Sequence, residues 1–168
     1  MTKALITLFC AAAIFYGCST TYHVVDSAPD YISRDSLRNS INILGASPII
    51  HPGKIISSGN FLFINEPYKG WHVIDNTTPS SPQNVAYITA PGSLDGTASQ
   101  GVLYIENSVD LVVLNISDPA HPAVIRRLEN VLPVPAAPHN PAGFYPNNAT
   151  IIGWHDTVVT ENIGPSFA

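Results

Sequence analysis

Between Ser58 and Leu128 the chain carries one pattern twice, and no other feature narrows its fold as far. In the first copy, Ser58-Gly-Asn-Phe-Leu-Phe-Ile64 leads to Gly70-Trp-His-Val-Ile-Asp75-Asn-Thr-Thr-Pro79-Ser-Ser-Pro82. In the second, Gln100-Gly-Val-Leu-Tyr-Ile105 leads to Asp110-Leu-Val-Val-Leu-Asn115-Ile-Ser-Asp-Pro119-Ala-His-Pro122. Ile74/Leu114, Asp75/Asn115, Pro79/Pro119 and Pro82/Pro122 each lie 40 residues apart, while Leu62/Leu103 and Ile64/Ile105 lie 41 apart. The one-residue slip falls in the connection between the two runs, where a loop absorbs it. Two unrelated hairpins would not match four positions at one spacing.

A period near 40 is the length of one small antiparallel sheet and marks propellers and solenoids. Each copy predicts a strand at 61–64 or 102–105 and a second at 71–75 or 111–115. A Pro-x-x-Pro turn and a third strand at 84–88 or 123–128 follow. Leu111-Val-Val-Leu114 lacks polar alternation, as expected of a strand buried on both faces between stacked sheets. The 15 prolines and 11 glycines favour turns over long helices, and 45% hydrophobic residues argue against disorder. The fold class is therefore all-β, an incomplete propeller-like array of about two blades.

Outside the repeats, residues 18–32 are polar and read as a tether. Over 33–50, Ser33 is placed to cap a short helix that puts Leu37, Ile41 and Leu44 on one face, ended by Gly45 and Pro48. The two repeats occupy 51–130. Residues 131–148 carry prolines at 133, 135, 138, 141 and 146 and read as an extended loop. In 149–168, Ala149 to Trp154 and Thr157 to Thr160 predict the start of a further hairpin.

The N-terminus sets the compartment. Lys3 precedes the uncharged stretch Ala4 to Tyr16, long enough for the apolar region of an export signal and too short to span a bilayer. Gly17-Cys18-Ser19 then resembles a bacterial lipobox, which implies cleavage after residue 17 and acylation of Cys18. Phe15 and Tyr16 depart from the Leu and small residue usual at those places. An ordinary cleaved signal is the alternative. Cys10 lies inside the signal, so Cys18 is left alone in the mature chain, and acylation accounts for it. The resemblance implies a lipid-anchored protein of the cell envelope, and Ser19 points to the outer membrane. From Cys18 onward six basic and twelve acidic side chains leave a formal charge of −6, without a basic cluster. That excludes nucleic acid and anionic headgroups as electrostatic partners.

Asp110-Leu-Val-Val-Leu-Asn-Ile-Ser-Asp-Pro119 resembles the LVIVD repeat of exported bacterial β-propeller proteins, and Gly70 to Pro79 is a second copy with Thr78 where that family usually has Asp. The segment from Pro52 to Pro67 is similar to the lead-in of such lipoproteins. The likeness runs from about Tyr31 to Leu128 and implies a propeller and an envelope location, without an established activity. Closed propellers need about 4–8 blades. Two repeats suggest the first part of a longer propeller, or a small protein that completes its sheets by self-association through open edges.

Chemistry is harder to find. The histidines at 23, 51, 72, 121, 139 and 155 lack the spacing that puts two ligands on one element, so neither metal nor cofactor is expected. No Gly-x-Ser-x-Gly elbow occurs. Asp75, Asp110, Asp118 and Asp156 lie nearest strand ends; a pair of them could serve a glycosidase, but Asp118-Pro119 reads more simply as turn chemistry. No calcium loop is present. Tyr68, Trp71 and Trp154 could stack on sugars or peptides, with blade packing the favoured role. The glycosylation sequons at Asn76, Asn115 and Asn148 are incidental in a bacterial lipoprotein. The resulting expectation is a non-enzymatic display scaffold with a protein or glycan ligand. A fragment of an envelope hydrolase or sugar-binding propeller is the alternative.

Overall fold

The computed structural model describes residues 20–139 and 148–163. Thus the signal segment and Cys18 lie outside the described residues. The chain is all-β, and its described residues form three antiparallel sheets. Strands β1 (Thr20–Ser33) and β11 (Ala149–Ile163) pair as a two-stranded ribbon. After β1 come helix α1 (Arg34–Arg38) and β2 (Ile43–Gly45).

The first repeat is a four-stranded sheet of β3 (Ile55–Ser58), β4 (Phe61–Glu66), β5 (Gly70–Asp75) and β6 (Gln83–Thr89), with β2 added outside β6. The second is β7 (Gly96–Ser99), β8 (Val102–Asn107), β9 (Asp110–Asn115) and β10 (Ala123–Leu128) in the same consecutive order. Each blade has one inner strand, β3 or β7, beyond the three expected. Both are short, and Ser57-Ser58 and Gly96-Thr97 carry no apolar run to announce them.

The repetition extends to irregularities. In the first blade, Val73 pairs Ala86 and Ile74 pairs Asn84, leaving Val85 as a bulge. In the second, Val113 pairs Arg126 and Leu114 pairs Val124, leaving Ile125 as its counterpart 40 residues on. The β4–β5 and β8–β9 turns both force a non-glycine residue to positive φ, Tyr68 at 66° and Ser108 at 58°. Matched bulges and turns show one backbone plan executed twice.

Period-2 alternation sends one face of each blade into a shared core. Phe63, Trp71, Val73 and Ile88 of the first blade meet Leu103, Ile105, Val112 and Leu114 of the second, all fully buried. Trp71 keeps its indole satisfied by donating from Nε1 to Ser93 Oγ at 2.8 Å. Lys54 and Asp95, which precede the two inner strands, form an ion pair across the blades. The strand β5 is buried from Gly70 to Ile74, on both faces.

Three expectations need correction. The polar tether is instead strand β1, paired along its length with β11. Its Thr and Val content suits a strand, but the partner lies at the far end of the sequence and local polarity does not register it. The helix of 33–50 stops at Arg38: Ser33 caps it as expected, accepting from Ser36 N at 3.1 Å, but Ile43–Gly45 leaves to join the β6 edge. Residues 149–163 form one strand rather than a hairpin, because a register shift at Asp30/Tyr31 carries the ladder past Gly153 without a turn. The Pro-rich stretch is irregular over 131–139, while 140–147 lie outside the described residues.

The seam between blades sets the stability. Leu114→Ala is expected to cost about 2–5 kcal/mol, the range for emptying a packed leucine site, in urea denaturation. Ile50→Ala, at 63% exposure, should stay within about 0.5 kcal/mol of the parent.

Candidate functional site

The repeat signature builds turns. Asp75 Oδ1 accepts from Thr77 N at 2.8 Å, and Asn115 Oδ1 accepts from Ser117 N at 2.8 Å, the same side-chain turn in each blade. Hydrogen bonding from the Thr77 side chain and backbone holds the Asp75 carboxyl below its usual range. A β-turn follows: Ser81 N donates to Thr78 O at 2.8 Å and His121 N to Asp118 O at 3.1 Å. Pro79 and Pro119 thereby occupy the position after the turn's first residue, where a fixed φ is favourable. Pro82 and Pro122 stand just before the outer strands β6 and β10, Pro122 buried and Pro82 exposed. Asp118 adds an ion pair to His121 Nδ1 at 2.9 Å, and that bond lowers its carboxyl. Thr78 makes the same backbone turn without a charge.

Two groups of buried polar side chains lie at the opposite end of the central strands. Asp110, the first residue of β9, stands where Gly70 begins β5. A Cβ on Gly70 would meet Ile88 O at 2.1 Å, so the first copy has no room for a side chain there. In the second, the fully buried Asp110 carboxylate accepts from Arg34 Nη2 at 2.9 Å, Arg127 Nη1 at 2.8 Å and Asn130 N at 3.0 Å. Arg127 also reaches Asn107 Oδ1 at 2.8 Å and Leu37 O at 3.3 Å. Arg38 clasps Glu129 with two bonds, at 3.0 and 2.9 Å, and takes Asp35 at 2.8 Å. Three arginines thus meet three carboxylates, and α1 is bolted to the second blade. Asp110 was legible as a strand-end carboxylate. Arg34 and Arg127 were not, because nothing local links residues so far apart.

A second polar group belongs to the first blade. His72 is fully buried, its Nε2 3.0 Å from Glu66 Oε2, with the ring 4.6 Å from that of Tyr87. Glu66 also accepts from Lys69 Nζ at 2.9 Å. Burial would raise the Glu66 carboxyl, but the bonds from Lys69 and His72 outweigh it and hold it below the usual range. His72 is thus a core residue with a carboxylate partner. His121, His139 and His155 sit at the surface beside Asp118, Asp156 and Asp30 respectively. Among the described residues, no three His, Cys, Asp or Glu side chains converge as metal ligands. The four strand-end carboxylates, Asp75, Asp110, Asp118 and Asp156, each have a different set of partners.

Two concavities flank the base of the ribbon. A cavity of about 700 Å³ lies between β11, the β8–β9 turn and the Pro-rich segment, with Val109, Val134, Ile151 and Trp154 among its walls and Arg34 at its side. A groove of about 550 Å³ lies between β11 and the β4–β5 turn, lined by Tyr31, Tyr68, Lys69 and Trp154 together with Asp30. Of the three aromatics singled out in the sequence, Trp71 is a core residue, whereas Tyr68 and Trp154 meet at this groove.

Comparison with known families gives one match: residues 98–129, nearly the whole of the second blade, fit the LVIVD repeat. No curated protein and no solved structure matches the chain.

The charge cluster makes stability pH-dependent. The hydrogen bonds from Arg38 pull Glu129 from 4.5 to about 2. A carboxyl depressed on folding contributes stability above its unfolded pKa and loses it as pH falls toward the folded value. Melting temperature should therefore fall between about pH 4.5 and 2. In Glu129→Gln the melting curve should start lower at neutral pH and decline less over that interval, as followed by circular dichroism.

Proposed function

We propose that this chain is an exported lipoprotein, held in the cell envelope by lipid on Cys18, whose LVIVD blades act as a non-catalytic docking scaffold. The observation that carries the reading is the LVIVD-matched blade packed on its own earlier copy. Its signature residues, Asp75, Pro79, Pro82, Asn115, Pro119 and Pro122, lie in or beside structural turns. The ribbon supports the anchor half of the reading. Strand β1 begins two residues after Cys18 and runs for 14 residues before α1, about 45 Å at the usual strand rise. Lipid at one end and blades at the other would make it a stalk. Docking would use the groove where Tyr31, Tyr68 and Trp154 supply aromatic surface and Asp30 and Lys69 supply polar contacts, a composition suited to a glycan or a peptide. Replacing Cys18 with Ala should abolish incorporation of labelled palmitate and move the protein from the membrane to the soluble fraction. Retention of the variant in membranes would sink the anchor.

A second reading rests on the outer edge of β10. Its equivalent β6 carries the added strand β2, whereas Val124 and Ile125 on β10 are 48% and 58% exposed. Open edges of this kind recruit further strands, either blades of a hydrolase or sugar-binding propeller or another copy of the chain. If copies pair there, Ile125→Lys should convert an oligomer to monomer in sedimentation velocity. A parent chain that already sediments as a monomer would exclude self-pairing.

A further inference from the structure

Each blade has two faces, and the seam uses one from each. The first blade supplies Phe63, Trp71, Val73 and Ile88, and the second Leu103, Ile105, Val112 and Leu114. The strand registers carry the repeat to the two faces that the seam leaves out. Tyr104, Leu111, Val113 and Leu128 stand on the outer face of the second blade as Phe63, Trp71, Val73 and Ile88 stand on the first. Leu62, Ile64, His72 and Ile74 stand on the outer face of the first as Leu103, Ile105, Val112 and Leu114 stand on the second. One chain thus presents both halves of a second seam, one on either side.

We propose that these outer faces bind each other between copies of this chain. The second blade of one chain would pack head to tail on the first blade of the next. Bulk is matched across that contact. Within the chain, the Trp71 indole lies against Gly96, where an added Cβ would come within 2.9 Å of Cζ2. Between chains the same two places hold Leu111 and Ile55, by the 40- and 41-residue offsets of the repeat. A smaller residue replaces the tryptophan and a larger one the glycine. Ile55 is 59% exposed in the single chain, and the contact would cover it. Charge is matched as well. Lys54 and Asp95 hold equivalent places before β3 and β7 and pair across the inner seam, yet both stay about half exposed, at 47% and 59%. Across the outer seam, Asp95 of one chain would be presented to Lys54 of the next. His72 and Glu66 are already bonded to each other at 3.0 Å, so covering them loses no bond. Head-to-tail contacts form rings when the rotation closes. With two blades per chain, a ring of about 4–8 blades takes about two to four chains. The contact joins sheet faces, so it is distinct from strand pairing at the β10 edge and independent of the lipid on Cys18.

The test is sedimentation velocity on the purified full chain and its variants, with circular dichroism to check that each keeps its β spectrum. The parent should sediment as an assembly of about two to four chains. Ile55→Lys and Leu111→Glu should each weaken association at least about tenfold, because either buries an unpaired charge in the contact. An equimolar mixture of the two variants should associate again. There, one contact regains leucine on isoleucine, and the other sets the introduced lysine against the introduced glutamate. Ile125→Lys, on the β10 edge, should leave the assembly as it is. Because Ile55 is exposed in the single chain, its variant decides the matter alone if Leu111→Glu does not fold. A parent that sediments as a monomer, or an assembly that survives Ile55→Lys, would overturn the proposal. Variants that stay apart when mixed would overturn the head-to-tail pairing, and an assembly dissolved by Ile125→Lys but not by Ile55→Lys would place the contact at the edge instead.

Discussion

Everything else in this molecule depends on the seam between its two blades. A four-stranded sheet with an apolar face cannot stand alone in water, and here each blade supplies the cover for the other. Alternation decides which residues take part: Trp71 and Val73 point to the seam from β5, and Val112 and Leu114 from β9. Each of these large side chains contributes roughly 1.5–3 kcal/mol when buried, so the seam outweighs any polar contact in the structure. The faces turned away from it are equivalent in reverse. His72 and Ile74 of the first blade correspond by the repeat to Val112 and Leu114 of the second. A residue that is apolar in one copy is therefore a histidine in the other, and Glu66 beside it supplies the partner that burial requires.

The ion cluster around Asp110 does a different job. Buried charge pairs add little net stability, since desolvation offsets much of the attraction, but they fail badly when one member is missing. Their value is in geometry. Asp110 accepts hydrogen bonds from three groups, one on α1, one on β10 and one on the backbone that leaves β10. Only one placement of the helix satisfies all of them. Because α1 follows β1 directly, fixing the helix fixes where the ribbon starts.

The blades were legible in the sequence because a repeat is self-confirming: four positions at one spacing identify a unit without any knowledge of its partner. The turns were legible too, since Asp75 and Asn115 act on backbone amides two residues away. What stayed hidden depends on distance along the chain. Strand β1 looks like a polar tether until β11 is placed beside it, and Arg34 looks like a helix residue until Asp110 arrives. The edge strand β2 lost its helical reading to the same cause, a ladder offered by β6. Of the groove aromatics, Tyr68 and Trp154 were found as residue types and Tyr31 was not, and their grouping stayed hidden because the three come from distant elements.

The two copies agree in residue type where the blade must be built and differ where it meets the ribbon. Pro79/Pro119 and Ile74/Leu114 keep their character, whereas Tyr68/Ser108, Lys69/Val109 and Gly70/Asp110 do not. Yet the backbone at Tyr68 and Ser108 holds the same unfavourable positive φ, so the plan of the turn is preserved while its side chain is free to change. Both side chains grip one strand. Ser108 Oγ donates to Ile151 O, and the Tyr68 side chain lies alongside Gly153, where an added Cβ would make ordinary van der Waals contact, 3.6 Å from its Cβ and Cγ. The same turns wall the two concavities, Tyr68 and Lys69 the aromatic groove and Val109 the cavity beside α1. Divergence between copies of one backbone thus attaches the ribbon and shapes both clefts at once, which is why a substitution made to alter either cleft must leave those two grips intact.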